Sequence, residues 1–381
     1  MSRAVTQSKG IRAGIMIVKA ALVCLAVSLS GCARPVSVVK EPVFFPPPPN
    51  APRVQFLKSI SGSFDVEERK DSFSLFVKGQ LREDVDQQII KPYGVTYAKG
   101  KLYVCDAQGI KVAIIDFANR KFEFLKGSVG AGRLKKPINV AVDDSGNIFV
   151  TDTIRKEVLM YDASGSFVRA YGKGIVKKPV DVAVDGTDLY ILDLGDSDIK
   201  IVDRASGELQ RKIGNQEGEP VRIAMPTNLT FDKNGQIYIT NISLGNVVKI
   251  DKDGHFLASI GKLGDAFGEF TRPKGVAVGE GDRLYVVDGG TQNVQLFSES
   301  GRLLMFFGDP PLREGALNLP VAVAVTRENL EYFQKMAAPD FVVEEVIFVT
   351  NQQGAAKISI YGLGHKKGAE PSLAPRQPSA N

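Results

Sequence analysis

The sequence predicts an all-β chain folded into a six-bladed β-propeller, and three observations predict it. A proline-led phrase recurs six times: "KPYGVTY" at Pro92, "KPINVAV" at Pro137, "KPVDVAV" at Pro179, "MPTNLTF" at Pro226, "RPKGVAV" at Pro273 and "LPVAVAV" at Pro320. The intervals are 45, 42, 47, 47 and 47 residues, the length of one four-stranded propeller blade. Each phrase is followed by a β-branched or aromatic run ending at Asp106, Asp152, Asp193, Asn241, Asp288 or Asn351. Period-two alternation with frequent Gly and Pro excludes long helices over most of this region.

The elements follow in chain order. Residues 1–31 hold Arg3, Lys9, Arg12 and Lys19, no acidic residue, and the apolar run "AALVCLAVSLS". A spanning helix needs about 20 apolar residues, so this run reads as a secretory signal peptide. Its ending, "LSGC", resembles the lipobox of bacterial lipoproteins, which implies acylation of Cys32 (a palmitate-type anchor) as the new N-terminus. Residues 32–52, "CARPVSVVKEPVFFPPPPNAP", are a proline-rich tether favouring extended backbone. Its "VFF" either touches a membrane surface or docks on the body.

The body is expected over residues 53–362. Blade six lacks a fourth strand at its C-terminal end, and "QFLKSIS" (residues 55–61) matches "HFLASIG" (residues 255–261). The N-terminal strand is therefore expected to complete the last blade and close the ring. "DSFSLFVKGQL" (residues 71–81) reads as a short amphipathic helix between this strand and blade one. Blade six carries an insertion: 31 residues separate Pro320 from Asn351, against 14 or 15 in the other blades. Within residues 327–345 a short helix would place Tyr332, Phe333 and Met336 on one side, as a packed flap or as a docking element. Residues 363–381 read as a flexible tail.

The repeats, as in "KPVDVAVDGTDLYILDLGDSDIKIVD", resemble NHL repeats. With the signal sequence, the chain resembles bacterial six-bladed NHL-propeller lipoproteins. That resemblance implies export and a lipid anchor in the cell envelope. Ala33 after the lipid cysteine, in place of an inner-membrane-retaining Asp, points to the outer membrane, facing periplasm or cell surface.

Charge and composition limit function. Without residues 1–31 the chain carries 44 basic against 43 acidic residues, so no nucleic-acid partner is expected. Cys105 is the lone thiol after Cys24 and Cys32, is expected in the core, and cannot form an internal disulfide. Some NHL propellers are zinc-dependent lyases using clustered histidines; the two histidines here, His255 and His365, cannot build such a site. "DKDGH" at 251–255 lacks calcium-loop spacing and reads as a hairpin turn.

Two site hypotheses remain. Two positions after each recurring proline, first strands should ring the channel with Gly94, Asn139, Asp181, Asn228, Gly275 and Ala322. Asn139, Asp181 and Asn228 could offer oxygen ligands to calcium or another hard cation, as in certain lactonases and esterases, or simply open a solvated channel. No cofactor is otherwise expected. Lys91, Lys135, Lys136, Lys177, Lys178, Arg222, Arg272 and Lys274 flank the prolines and should form a basic rim on one face. It would suit a protein or an anionic polymer, unless acids such as Glu217, Glu219, Asp265 and Glu269 balance it. The reading reached from sequence is a non-catalytic, lipid-anchored binding or assembly platform. The alternatives are a metal-dependent lactonase, esterase or lyase, and an accessory subunit of an envelope redox or secretion complex.

Overall fold

A computed structural model describes residues 41–68, 85–214, 222–309 and 314–370. The signal peptide, Cys32, the 71–81 helix and most of the tail lie outside the described residues. Pro42–Asn381 form one compact unit, and it is a six-bladed β-propeller.

Five sheets are four-stranded and one is five-stranded, each a meander of antiparallel neighbours. Blade two is typical: Pro137–Val142, Ile148–Asp152, Glu157–Tyr161 and Phe167–Tyr171 run from the axis outward. The first strand starts on one face at proline, and the second returns there to end at Asp152, paired with Pro137. All six prolines therefore mark one face, called here the proline face. The opposite face carries the hairpins between strands one and two and between strands three and four.

Buried Val, Ile, Leu and Tyr side chains pack between adjacent blades. In one cluster Tyr103, Val112 and Ile114 of blade one meet Val140, Leu159 and Tyr161 of blade two. Cys105 lies in that cluster, fully buried, and burial pushes its thiol pKa well up. The expected core role holds.

Closure also occurs as expected. Strand β2 (Val54–Ile60) pairs antiparallel with Ile358–Lys366, with Ile60 opposite Ile358 and Val54 opposite Leu363. Strand β1 (Phe44–Phe45) adds a fifth strand outside β2. The "VFF" run thus docks on the body: Phe44 meets Phe341 at 5.4 Å and Phe45 meets Tyr361 at 6.2 Å between ring centroids. The last strand continues to Lys366, beyond the expected boundary at 362, because the insertion lengthens its partner to Phe341–Asn351. Residues 363–366 therefore belong to the body and not to the tail.

The insertion folds as the packed flap. Helix α1 (Leu330–Gln334) buries Phe333 against Phe117 of blade one at 5.1 Å. Tyr332 and Met336 pack on the same cluster. Asn329 Nδ2 donates to the Tyr97 hydroxyl at 2.8 Å, and Gly100 N–H to Glu328 Oε2 at 2.7 Å. Ala338 N–H donates to buried Gln55 Oε1 at 3.0 Å. The flap thus joins blade six, blade one and β2 across the seam. Among the described residues no helix is long and apolar enough to cross a membrane.

Candidate functional site: the proline face and the channel

The residues that end the second strands build the proline face. Asp106, Asp152, Asp193, Asn241, Asp288 and Asn351 are all fully buried. A carboxylate there would be costly without partners, and each Asp finds several backbone donors. Asp106 accepts the N–H groups of Ile90 at 2.7 Å and Lys91 at 2.9 Å. Asp152 accepts those of Lys135 at 2.5 Å and Lys136 at 2.9 Å. Asp193 accepts Lys177 and Lys178 at 2.7 and 2.8 Å, and Asp288 accepts Thr271 and Arg272 at 2.8 and 2.9 Å. Asn241 and Asn351 accept Ala224 and Asn318 at 3.2 and 3.0 Å. The expected turn formers therefore also latch the loop before each proline. With its backbone held inward, each loop turns its lysines out.

Lys91, Lys135, Lys136, Lys177, Lys178, Arg222 and Arg272 are exposed, and Lys274 is half-buried. Lys177 departs from the rest: its ammonium pairs with Asp196 at 2.5 Å, which raises its pKa. Among the described residues the other six exposed cations have no ion-pair partner. Of the four balancing acids, Glu269 pairs with Lys262 at 3.0 Å and Asp265 is exposed. Glu217 and Glu219 lie outside the described residues. Lys274 sits at the channel mouth, where burial and then nearby Arg272 lower its pKa to about 8. Tyr93 lies there too: burial raises its pKa, Arg272 opposes the rise and Asp181 adds to it.

The ring two residues after the prolines surrounds a channel cavity of about 250 Å³, lined by Asn139, Asp181, Asn228 and Ala322 among others. Gly94 is required beside Asn139, because a Cβ there would fall 2.0 Å from Asn139 Oδ1. Asp181 accepts N–H groups from Val182 at 2.8 Å, Leu229 at 2.9 Å and Asn228 Nδ2 at 3.2 Å. Burial outweighs these bonds and pushes its pKa up to about 7. Asn139 Oδ1 accepts the Val140 N–H at 3.0 Å. Asn228 Oδ1 is buried with no hydrogen-bond partner. As folded, the three residues turn most of their oxygens onto protein N–H groups and leave one open. That donor set fits a hard cation poorly.

One polar cluster escaped the sequence reading. Lys200, fully buried, places its ammonium 2.8 Å from Asp193, 2.8 Å from Asp196 and 2.7 Å from Asp198. Burial alone would lower its pKa, but the three carboxylates raise it. An acidic trio of metal-ligand type thus encloses a covalently attached cation. In blades two and four, the buried Leu159 and Val248 occupy the equivalent position of the third strand. A lysine inside the alternating "DIKIVD" was the available signal. The 251–255 segment is the expected hairpin, with Asp251 accepting N–H groups from Asp253 and His255.

No known family model matches the chain. Over 110 residues it is 30% identical to Protein brain tumor of Drosophila melanogaster, covering 28% of this chain and only 10% of that protein. Among solved structures, the chain is similar to a gluconolactonase from Xanthomonas campestris (TM-score 0.51, 14% identity, 81% of this chain and 98% of that one). It is also similar to an auxiliary nutrient binding protein from Bacteroides thetaiotaomicron (TM-score 0.53, 11% identity, 72% of this chain and 69% of that one). What the chain shares with both is the propeller fold, which hosts an enzyme in one and a binding protein in the other.

Proposed function

We propose that this protein is a lipid-anchored propeller of the cell envelope that acts as a non-catalytic binding or assembly platform, receiving an anionic partner on its proline face. One observation carries the reading: six exposed cations are set out on one face by buried latches, without ion-pair partners among the described residues. The "LSGC" ending supports export and anchoring at Cys32, with the outer membrane as the expected site. Capture from detergent-solubilised envelopes tests the reading. The wild-type chain should retain a partner that Lys135→Glu, Lys136→Glu, Lys177→Glu and Lys178→Glu together release. Equal retention by both would contradict it.

A second reading, an enzyme of lactonase, esterase or lyase type at the channel mouth, draws on Asp181. A carboxyl with a pKa of about 7 in a cavity suits acid–base work. Near-stoichiometric calcium or zinc in the purified protein would favour this reading over the platform.

A further inference from the structure

The proline face is apolar as well as basic. Among the described residues thirteen large apolar side chains are exposed. Eight of them sit in proline-face loops, including Ile110, Val129, Ile154, Met225, Leu263 and Phe267. Phe267 is 73% exposed and Val129 68%. The other five, Val168, Leu209, Phe256, Leu257 and Leu304, lie on outermost strands, and none lies in a hairpin of the opposite face. Exposed apolar groups gathered on one face mark an interaction surface. Mixed with unpaired lysines, they match the composition of surfaces that enter the headgroup region of an anionic bilayer.

Chain direction points the same way. Strand β2 runs from the opposite face at Val54 to the proline face at Ile60. Strand β1 is antiparallel to it, and the Phe56 N–H donates to the Val43 carbonyl at 2.9 Å. Read backwards from Phe44, the chain heads toward the proline face. Val43 stands about four strand residues, about 13 Å, from that edge. Eleven residues lead from Cys32 to Val43, a reach of up to about 36 Å. An acyl group on Cys32 can therefore lie in the plane of this face.

We infer that the proline face lies on an anionic bilayer surface, the one that holds the Cys32 lipid. This inference rests on the platform reading and names its partner: phospholipid headgroups contact the lysines while the loop-tip apolar side chains enter between them.

The test uses the chain from residue 32 onward with Cys32→Ser, which keeps the whole compact unit, and vesicles of phosphatidylglycerol mixed with phosphatidylcholine. The chain should sediment with these vesicles at low salt, stay in solution with phosphatidylcholine alone, and be released by salt. Lys135→Glu, Lys136→Glu, Lys177→Glu and Lys178→Glu together should lower partitioning on the order of a hundredfold. Ile154→Ser with Phe267→Ser should lower it roughly tenfold. Lys99→Glu, Lys233→Glu and Lys252→Glu, on the opposite face, should bind anionic vesicles nearly as the parent does. Equal loss from both faces, or no sedimentation with anionic vesicles, would overturn the inference. If vesicle binding fails while envelope capture still depends on the four lysines, the partner is a soluble or protein-borne anion and the platform reading stands. If neither depends on them, both readings fall.

Discussion

On the proline face, buried Asp and Asn side chains hold the loop backbones and leave the lysines outward; on the opposite face, the hairpins pair their charges with one another. Lys99 of blade one reaches Asp144 of blade two at 3.6 Å, and Arg204 of blade three pairs with Asp143 of blade two. Lys252 of blade four pairs with Asp185 of blade three. Lys233 of blade four reaches Asp282 of blade five at 2.9 Å, and Arg327 of blade six reaches Glu280 of blade five at 3.4 Å. Ion pairs thus step from blade to blade, and the Glu328–Gly100 bond crosses the remaining seam. A nearly neutral chain therefore has one face with balanced charge and one with unpaired positive charge. Net charge does not report this, because the strand-end acids of the proline face, Asp106, Asp152, Asp193 and Asp288, are buried and already engaged by loop N–H groups, although Asp265, Asp309 and Glu314 are exposed there.

The largest expected effect comes from breaking a latch. Asp193→Ala removes the acceptor of two loop N–H groups and one of three partners of buried Lys200. Leaving a buried charge short of partners costs about 3–5 kcal/mol, so the urea midpoint should fall sharply. A midpoint close to the parent's would mean that the latches do not hold the face.

A smaller effect should come from Asp181. Its pKa is raised from the ordinary 3.8 to about 7 in the folded chain, so the folded state holds a proton that the unfolded state releases. Stability from this group is fully present below about pH 4, declines as pH rises, and levels off above about pH 7. From pH 5 to pH 8 the loss should be on the order of 2–3 kcal/mol. The wild-type melting temperature should fall over that range more steeply than that of Asp181→Asn. Parallel pH profiles would place Asp181 in a more solvated channel than the structure gives it.

The smallest effect belongs to the paired face. Lys99 and Asp144 are both exposed, and exposed pairs contribute about 0–1 kcal/mol. Lys99→Ala should therefore move the melting temperature little. A large drop would make the ion-pair ring a structural clasp.

Much of this fold was legible because a blade is a local unit that repeats its own phrase. Six prolines at near-constant spacing mark the first strands, and the match of residues 55–61 to 255–261 marks the closing strand. Strand β1 was not legible: two phenylalanines in a proline-rich run carry no period, and only the blade-six edge makes them a strand. The rim lysines were legible by alignment of the repeats, but the diversion of Lys177 to Asp196 and the retreat of Lys274 into the channel mouth depend on three-dimensional neighbours. The same holds for Lys200, whose three carboxylates meet at one point only after the strand and its preceding turn have folded. The loop-tip apolar residues each look ordinary in sequence; their gathering on one face follows from the propeller topology.

The most direct test of this asymmetry reverses equal charge on the two faces. One variant carries Lys91→Glu, Lys135→Glu, Lys136→Glu and Lys178→Glu; the other carries Lys99→Glu, Arg204→Glu, Lys233→Glu and Lys252→Glu. Both change net charge equally, so binding to a soluble polyanion such as dextran sulfate, measured by anisotropy at low salt, reports which face binds. The proline-face variant should lose most of the affinity while the opposite-face variant retains it. Equal losses would contradict a one-sided binding face.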